Sequence, residues 1–106
     1  MARRKYHNIP TVVDGIKFPS KLEANRWLEL KLLERGGAIS ELKRQVPFEL
    51  FGRNGGLICR YRCDFMYRER GDFVVEDTKG METPEFKIKR NLFADNYPNI
   101  ELRIVK

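Results

Sequence analysis

Apolar and polar residues change period several times along this chain, and each change marks an element. Thr11-Val12-Val13 and Ile16-Lys17-Phe18 flank Asp14-Gly15, a pair suited to the positive φ angles of a tight hairpin turn. An opening β-hairpin is therefore expected. Ser20-Lys21-Leu22-Glu23 then has the Ser-x-x-Glu form of a capping box, and the Leu-, Glu-, Lys- and Arg-rich run behind it stops at Gly36-Gly37. This predicts a helix over residues 20–36. At about 100° per residue, its inward arc holds Leu22, Trp27, Leu30 and Leu33, and Glu23 falls within that arc.

Four later stretches read as strands: Gln45 to Phe51, Leu57 to Tyr67, Asp72 to Lys79, and Ile100 to Val105. Gly52-Arg53-Asn54-Gly55-Gly56 and Arg68-Glu69-Arg70-Gly71 supply the turns that make the first three a meander. Thr83-Pro84-Glu85 gives an N-cap, a proline at the first helical position and an acidic first turn, while Tyr97-Pro98 ends the run, so a second helix is expected over 84–96. The order is thus helix, three-strand meander, helix, strand, behind an N-terminal β-hairpin. It implies an α/β fold whose last strand is reached by a helical crossover. No repeat or internal seam interrupts it, and residues 1–106 are expected to form a single domain.

Composition narrows the setting. Hydrophobic residues make up 42% of the chain, enough for one modest core, and no apolar run approaches the roughly 20 residues of a membrane helix. No membrane partner is expected. The basic start, Met1 to Lys5, leads into His7-Asn8-Ile9-Pro10 rather than an apolar stretch, so no secretory leader is expected and the cytoplasm is the default compartment. Cys59 and Cys63 share a strand face and read as packing residues; with His7 the only histidine, a structural zinc site lacks ligands. Twenty-one Lys and Arg against 15 Asp and Glu leave a net charge of +6, which favours a polyanionic partner but equally suits a domain that carries lysine for solubility.

The strands carry the chemistry. Alternation in Val74-Val75-Glu76-Asp77-Thr78-Lys79 puts Asp77 and Lys79 on one face and Glu76 and Thr78 on the other. In the preceding strand, Cys59, Tyr61, Cys63 and Phe65 are expected on one face and Arg60, Arg62 and Asp64 on the other. Counting back from the 68–71 turn brings Asp64 and Asp77 onto neighbouring strands, within reach of each other. Two carboxylates so placed repel unless a cation sits between them, and an edge open to water suits Mg²⁺. Taken singly, each residue also fits an exposed ion pair of little energy. Glu76, separated from Lys79 by alternation, reads as a surface or dimer contact.

Asp64 and Asp77-Thr78-Lys79, in this order of elements over about residues 20–105, resemble the PD-(D/E)XK nuclease superfamily, with its restriction-endonuclease-like core. The chain is similar to small phage and prophage nucleases of the Holliday junction resolvase (phage endonuclease) type. It departs in having Cys63 rather than proline before the first acid. The resemblance implies a metal-dependent DNA endonuclease, a phosphodiester hydrolase in which Asp64, Asp77 and a first-helix acid, here Glu23, hold Mg²⁺, with Mn²⁺ able to substitute. Lys79 would orient the attacking water or neutralise developing charge. Glu23 is also the reciprocal acid of the Ser20 capping box, and the two roles are compatible. Gln45 reaches the site in some members and is assigned no role here. Arg60, Arg62, Lys87, Lys89 and Arg90, with Arg3 and Arg4 as a basic arm, are candidate phosphate contacts. A branched-DNA resolvase would be a homodimer, because paired incisions require two active sites. The alternatives are a nicking or non-structure-selective endonuclease and a non-catalytic nucleic-acid-binding module.

Overall fold

The computed structural model describes residues 9–106. Strands β1 (Thr11–Val13) and β2 (Ile16–Phe18) form the opening hairpin, with Asp14 and Gly15 both at positive φ (52° and 74°) as a two-residue turn requires. Helix α1 (Lys21–Arg35) follows, capped by Ser20, whose Oγ accepts from the Glu23 N–H at 3.1 Å. The Trp27 indole N–H donates to Asp14 at 3.1 Å and so ties the hairpin to the helix.

The next 30 residues form one long hairpin that is bent at its middle. Its lower strands are β3 (Ser40–Arg44) and β6 (Phe65–Glu69), and its upper strands are β4 (Pro47–Phe51) and β5 (Leu57–Arg62). β3 pairs with β6 and β4 with β5, all antiparallel, but the two halves lie in different sheets. At the bend Gln45 takes a left-handed φ of 54°, its N–H donates to the Asp64 carbonyl, and the Cys63 N–H donates to the Val46 carbonyl. β7 (Asp72–Thr78) pairs with β6, helix α2 (Pro84–Asn96) crosses over, and β8 (Glu101–Val105) returns parallel to β7. The main sheet has the order β3-β6-β7-β8.

Each face of that sheet carries an apolar cluster. On one, α1 and the first hairpin supply Phe18, Ala24, Trp27 and Leu30 against Phe65, Tyr67 and Val74. On the other, α2 and the upper hairpin supply Phe86, Phe93, Leu50 and Tyr61 against Cys63 and Val75. Burial pushes the Cys63 thiol up to about 12, as a packing cysteine requires. No helix among the described residues is long and apolar enough to cross a membrane.

Several expectations change. The stretch Leu57 to Tyr67 is two strands broken at Cys63-Asp64, so residues 45–51, 57–67 and 72–79 do not form one meander. The break also separates Phe65, in the α1-side cluster, from Cys59, Tyr61 and Cys63 on the α2 side. β3 was not foreseen: it carries one apolar residue, Leu42, and a bulge at Glu41 (φ 56°), a pattern that an edge strand tolerates and alternation does not reveal. Leu33 is exposed rather than inward, because the arc of α1 turns on Ala24, Trp27 and Leu30.

Candidate active site

The bend in the long hairpin determines where Asp64 sits. Its backbone N–H still donates to the Glu76 carbonyl at 3.1 Å, continuing the β6–β7 pairing one step past Phe65↔Glu76 and so bringing it opposite Asp77. Its side chain turns to the strand end, where Oδ2 accepts from both the backbone N–H and the hydroxyl of Thr78, each at 2.7 Å. Asp77, 3% exposed, accepts from the Tyr61 hydroxyl at 2.8 Å through its own Oδ2, and the Lys79 ammonium lies 3.6 Å from the same oxygen. Lys79 is fixed from behind by its backbone bond to Val105 (2.9 Å) and lies over the Phe86 ring at 4.6 Å.

Glu23 enters from α1. Although its backbone N–H belongs to the Ser20 cap, its carboxyl, 3% exposed, turns to Asp64. Gln45 Nε2 reaches Glu23 Oε2 at 3.5 Å, a weak bond, and Arg44 approaches the same oxygen at 3.9 Å. Three carboxyls therefore meet with Asp64 in the middle. Burial first, then the charge of Asp64, pushes Glu23 up to about 7, against the opposing pull of Arg44 and Lys79. Burial and Asp64 likewise hold Asp77 well above the usual carboxylate range, opposed by Tyr61 and Lys79. Oδ2 of Asp64 and Oδ2 of Asp77 are each held by the protein, and Asp64 lies within hydrogen-bonding reach of both Glu23 and Asp77. A crowded, half-committed set of hard oxygen donors of this kind needs protons or a cation.

The sequence expectations divide here. Glu23, Asp64, Asp77 and Lys79 come together. Arg60, Arg62 and Lys89 line the groove on the α2 side of Asp64 and Asp77. Lys87 is exposed outside that groove, and Arg90 is engaged by Glu82 at 2.6 Å, so neither faces the carboxyls. Arg3 and Arg4 lie outside the described residues. Glu76 is not a surface contact: it is fully buried, binds Arg26 through both oxygens at 2.8 and 2.6 Å, and accepts from the Tyr67 hydroxyl. Its face of β7 looks at α1, where Arg26 stands one turn after Glu23.

Four further residues belong to the site. Tyr61 could have been found, since an inward tyrosine must bring its hydroxyl to a partner. Thr78 neighbours the acid it helps to orient only across the strand pair, while Arg44 and Gln45 are positioned by the unforeseen β3 and the bend. No short-range signal marks these three, and Gln45 enters the sequence reading only through the resemblance, without a role.

Among the described residues no three His, Cys, Asp or Glu side chains form a preassembled chelate. The sequence model of a family described as a protein of unknown function, DUF1064, matches residues 3–106. No curated protein and no solved structure matches the chain.

Proposed function

The chain belongs to the DUF1064 family; from that premise and the carboxyl cluster, we propose that it is a metal-dependent DNA endonuclease of the PD-(D/E)XK type. The observation that carries this reading is the meeting of Glu23, Asp64 and Asp77, two of them with raised affinity for protons, beside Lys79. The order α1, β3, β6, β7, α2, β8 supports a restriction-endonuclease-like core, with the β4–β5 hairpin as an insertion at the bend.

Asp64 and Asp77, joined by Glu23, are the residues that would hold Mg²⁺ or Mn²⁺. Mg²⁺ keeps several of its waters and takes hard carboxylate oxygens for its remaining positions. A divalent ion there supplies Lewis-acid polarisation of a phosphate and lowers the pKa of a bound water. Thr78 and Tyr61 fix the orientation of Asp64 and Asp77, the role that outer hydrogen bonds play around ligating carboxylates. Lys79 stands ready to neutralise charge developing on the phosphate. The substrate we propose is branched DNA, cut in the cytoplasm by a homodimer.

The test is cleavage by wild type and Asp77→Ala of four-way junction, nicked, single-stranded and linear duplex DNA, with Mg²⁺, Mn²⁺ or EDTA. The expected outcome is cutting that needs metal and Asp77, with the junction preferred and binding retained by the variant. Metal-dependent cutting by Asp77→Ala at the wild-type rate would sink the assignment. Equal cutting of all substrates would replace the resolvase by a general endonuclease, and binding without cutting would leave a nucleic-acid-binding module.

A further inference from the structure

The β4–β5 hairpin stands apart from the main sheet, and its two faces differ. The inner face, with Phe48, Leu50, Cys59 and Tyr61, packs on α2, where Phe48 meets the rings of Phe93 and Tyr97 at 5.1 and 5.2 Å. Asn96 pins its end, accepting from the Phe51 N–H at 2.9 Å and donating to the Phe51 carbonyl at 3.1 Å, and the Tyr97 hydroxyl donates to the Glu49 carbonyl at 2.8 Å. The hairpin is thus fixed at its base and near its tip.

Its outer face is built from the other alternate residues. Along β5 these are Ile58, Arg60 and Arg62, all exposed and running in line toward Asp64. Strand geometry spaces such residues by about 6.7 Å, comparable with the separation of successive phosphates on one nucleic-acid strand. Arg62 makes no hydrogen bond or ion pair among the described residues. Arg60 meets only Glu49, at 3.3 Å, both side chains more than half exposed (67% and 52%), a pair that a phosphate can displace at little cost. Arg60 and Arg62 also line a groove of about 440 Å³ whose other wall, at the start of α2, carries Lys89 paired with Glu85 at 3.2 Å, with Asp64, Asp77 and Lys79 along it.

We propose that the outer face of the β4–β5 hairpin is the arm that holds the nucleic-acid backbone beside the carboxyl cluster, with Arg60 and Arg62 each on a phosphate of one strand. The proposal rests on the nuclease reading for its location, but it concerns binding and is tested without catalysis. A labelled DNA duplex is titrated in EDTA across a range of salt with wild type, Arg60→Ala/Arg62→Ala, and a control of equal charge, Arg35→Ala/Arg70→Ala. The control sites lie at the far end of α1 and in the β6–β7 turn. Each lost phosphate contact removes about 0.9 from the slope of log affinity against log salt, so the arm variant should lose about 1.8, with binding about 60-fold weaker at 0.1 M salt. The control should keep the wild-type slope, and Arg60→Lys/Arg62→Lys should keep most of it.

Glu49→Gln leaves both arginines in place and frees Arg60, so it should bind about two- to five-fold tighter, which guards against an arm variant that fails to fold. Equal losses in the arm and control variants would reduce the effect to net charge and overturn the proposal. So would an unchanged slope in the arm variant, or a wild type that does not bind DNA. A wild type that binds with this slope yet never cuts with Mg²⁺ would remove the nuclease reading and leave the arm standing.

Discussion

At the scale of single residues, the site is a set of acids held where they do not favour their charges. Glu23 binds its proton more tightly in the folded protein, near 7, than in the unfolded chain, near 4.5. Asp77 is shifted in the same direction. A raised carboxyl pKa means that the native state holds more protons than the unfolded state, so stability falls as pH rises between the two values. For Glu23 the loss is roughly 3 kcal/mol once pH exceeds the folded value. Metal-free protein is therefore expected to melt several degrees higher at pH 5.5 than at pH 8. On the proposed metal site a divalent ion would replace those protons, so Mg²⁺ should raise the melting temperature at pH 8 and do little at pH 5.5. Thermal melts in EDTA and in Mg²⁺ at the two pH values measure both effects. A metal-free protein more stable at pH 8 would show that the carboxyls are relieved without any cation. Asp77→Asn should flatten the profile, because it removes one of the acids that the fold holds under repulsion.

At the scale of elements, α1 is seated on the sheet by a charged contact as well as an apolar one. Arg26 grips both oxygens of buried Glu76, Tyr67 donates to the same carboxyl, and Arg103 of β8 reaches the Tyr67 hydroxyl at 3.3 Å. Arg26 lies one turn from Glu23, and Glu76 precedes Asp77, so this clamp sets the distance between the helix acid and the strand acids. Glu76→Ala leaves Arg26 and Tyr67 without their acceptor, and urea denaturation should show a loss of about 3–5 kcal/mol. A loss below about 1 kcal/mol would mean that the apolar contacts alone seat the helix. The sequence showed both ends of this arrangement but not the clamp. Capping by Ser20 and Thr83, the glycines after α1 and the Asp14-Gly15 turn are local signals, and they gave the helices and the first hairpin nearly to the residue. Asp64, Asp77 and Lys79 were legible because strand alternation and one turn relate them. Glu76 was misread because alternation names a face without saying what covers it. β3 and the bend escaped because a polar, bulged edge strand and a left-handed Gln45 are set by pairing with residues some 20 positions away.

At the scale of the whole molecule, the described chain is a flat body of 44 × 42 × 20 Å with its carboxyls at one end of the sheet, open to a groove on the α1 side and another on the α2 side. The basic hairpin face borders only the second, so on the proposed arm a bound strand would be gripped beside the acids rather than enclosed by them. On the nuclease reading proposed above, one such cluster would hydrolyse one phosphodiester at a time. Paired incisions across a four-way junction need two clusters held in symmetric relation, and a two-fold dimer is the simplest assembly that supplies them. The resolvase reading thus makes a claim about mass: sedimentation at micromolar concentration with junction DNA should show two copies, twice 12.6 kDa of protein per junction. A dimer should also make both incisions of a cruciform extruded from a supercoiled circle within the lifetime of one complex, read as linear product appearing without a nicked circle. A single copy per junction, accumulating nicked product, would leave the carboxyl chemistry untouched and favour a nicking endonuclease, because the proposed metal site and the proposed basic arm both lie within one chain.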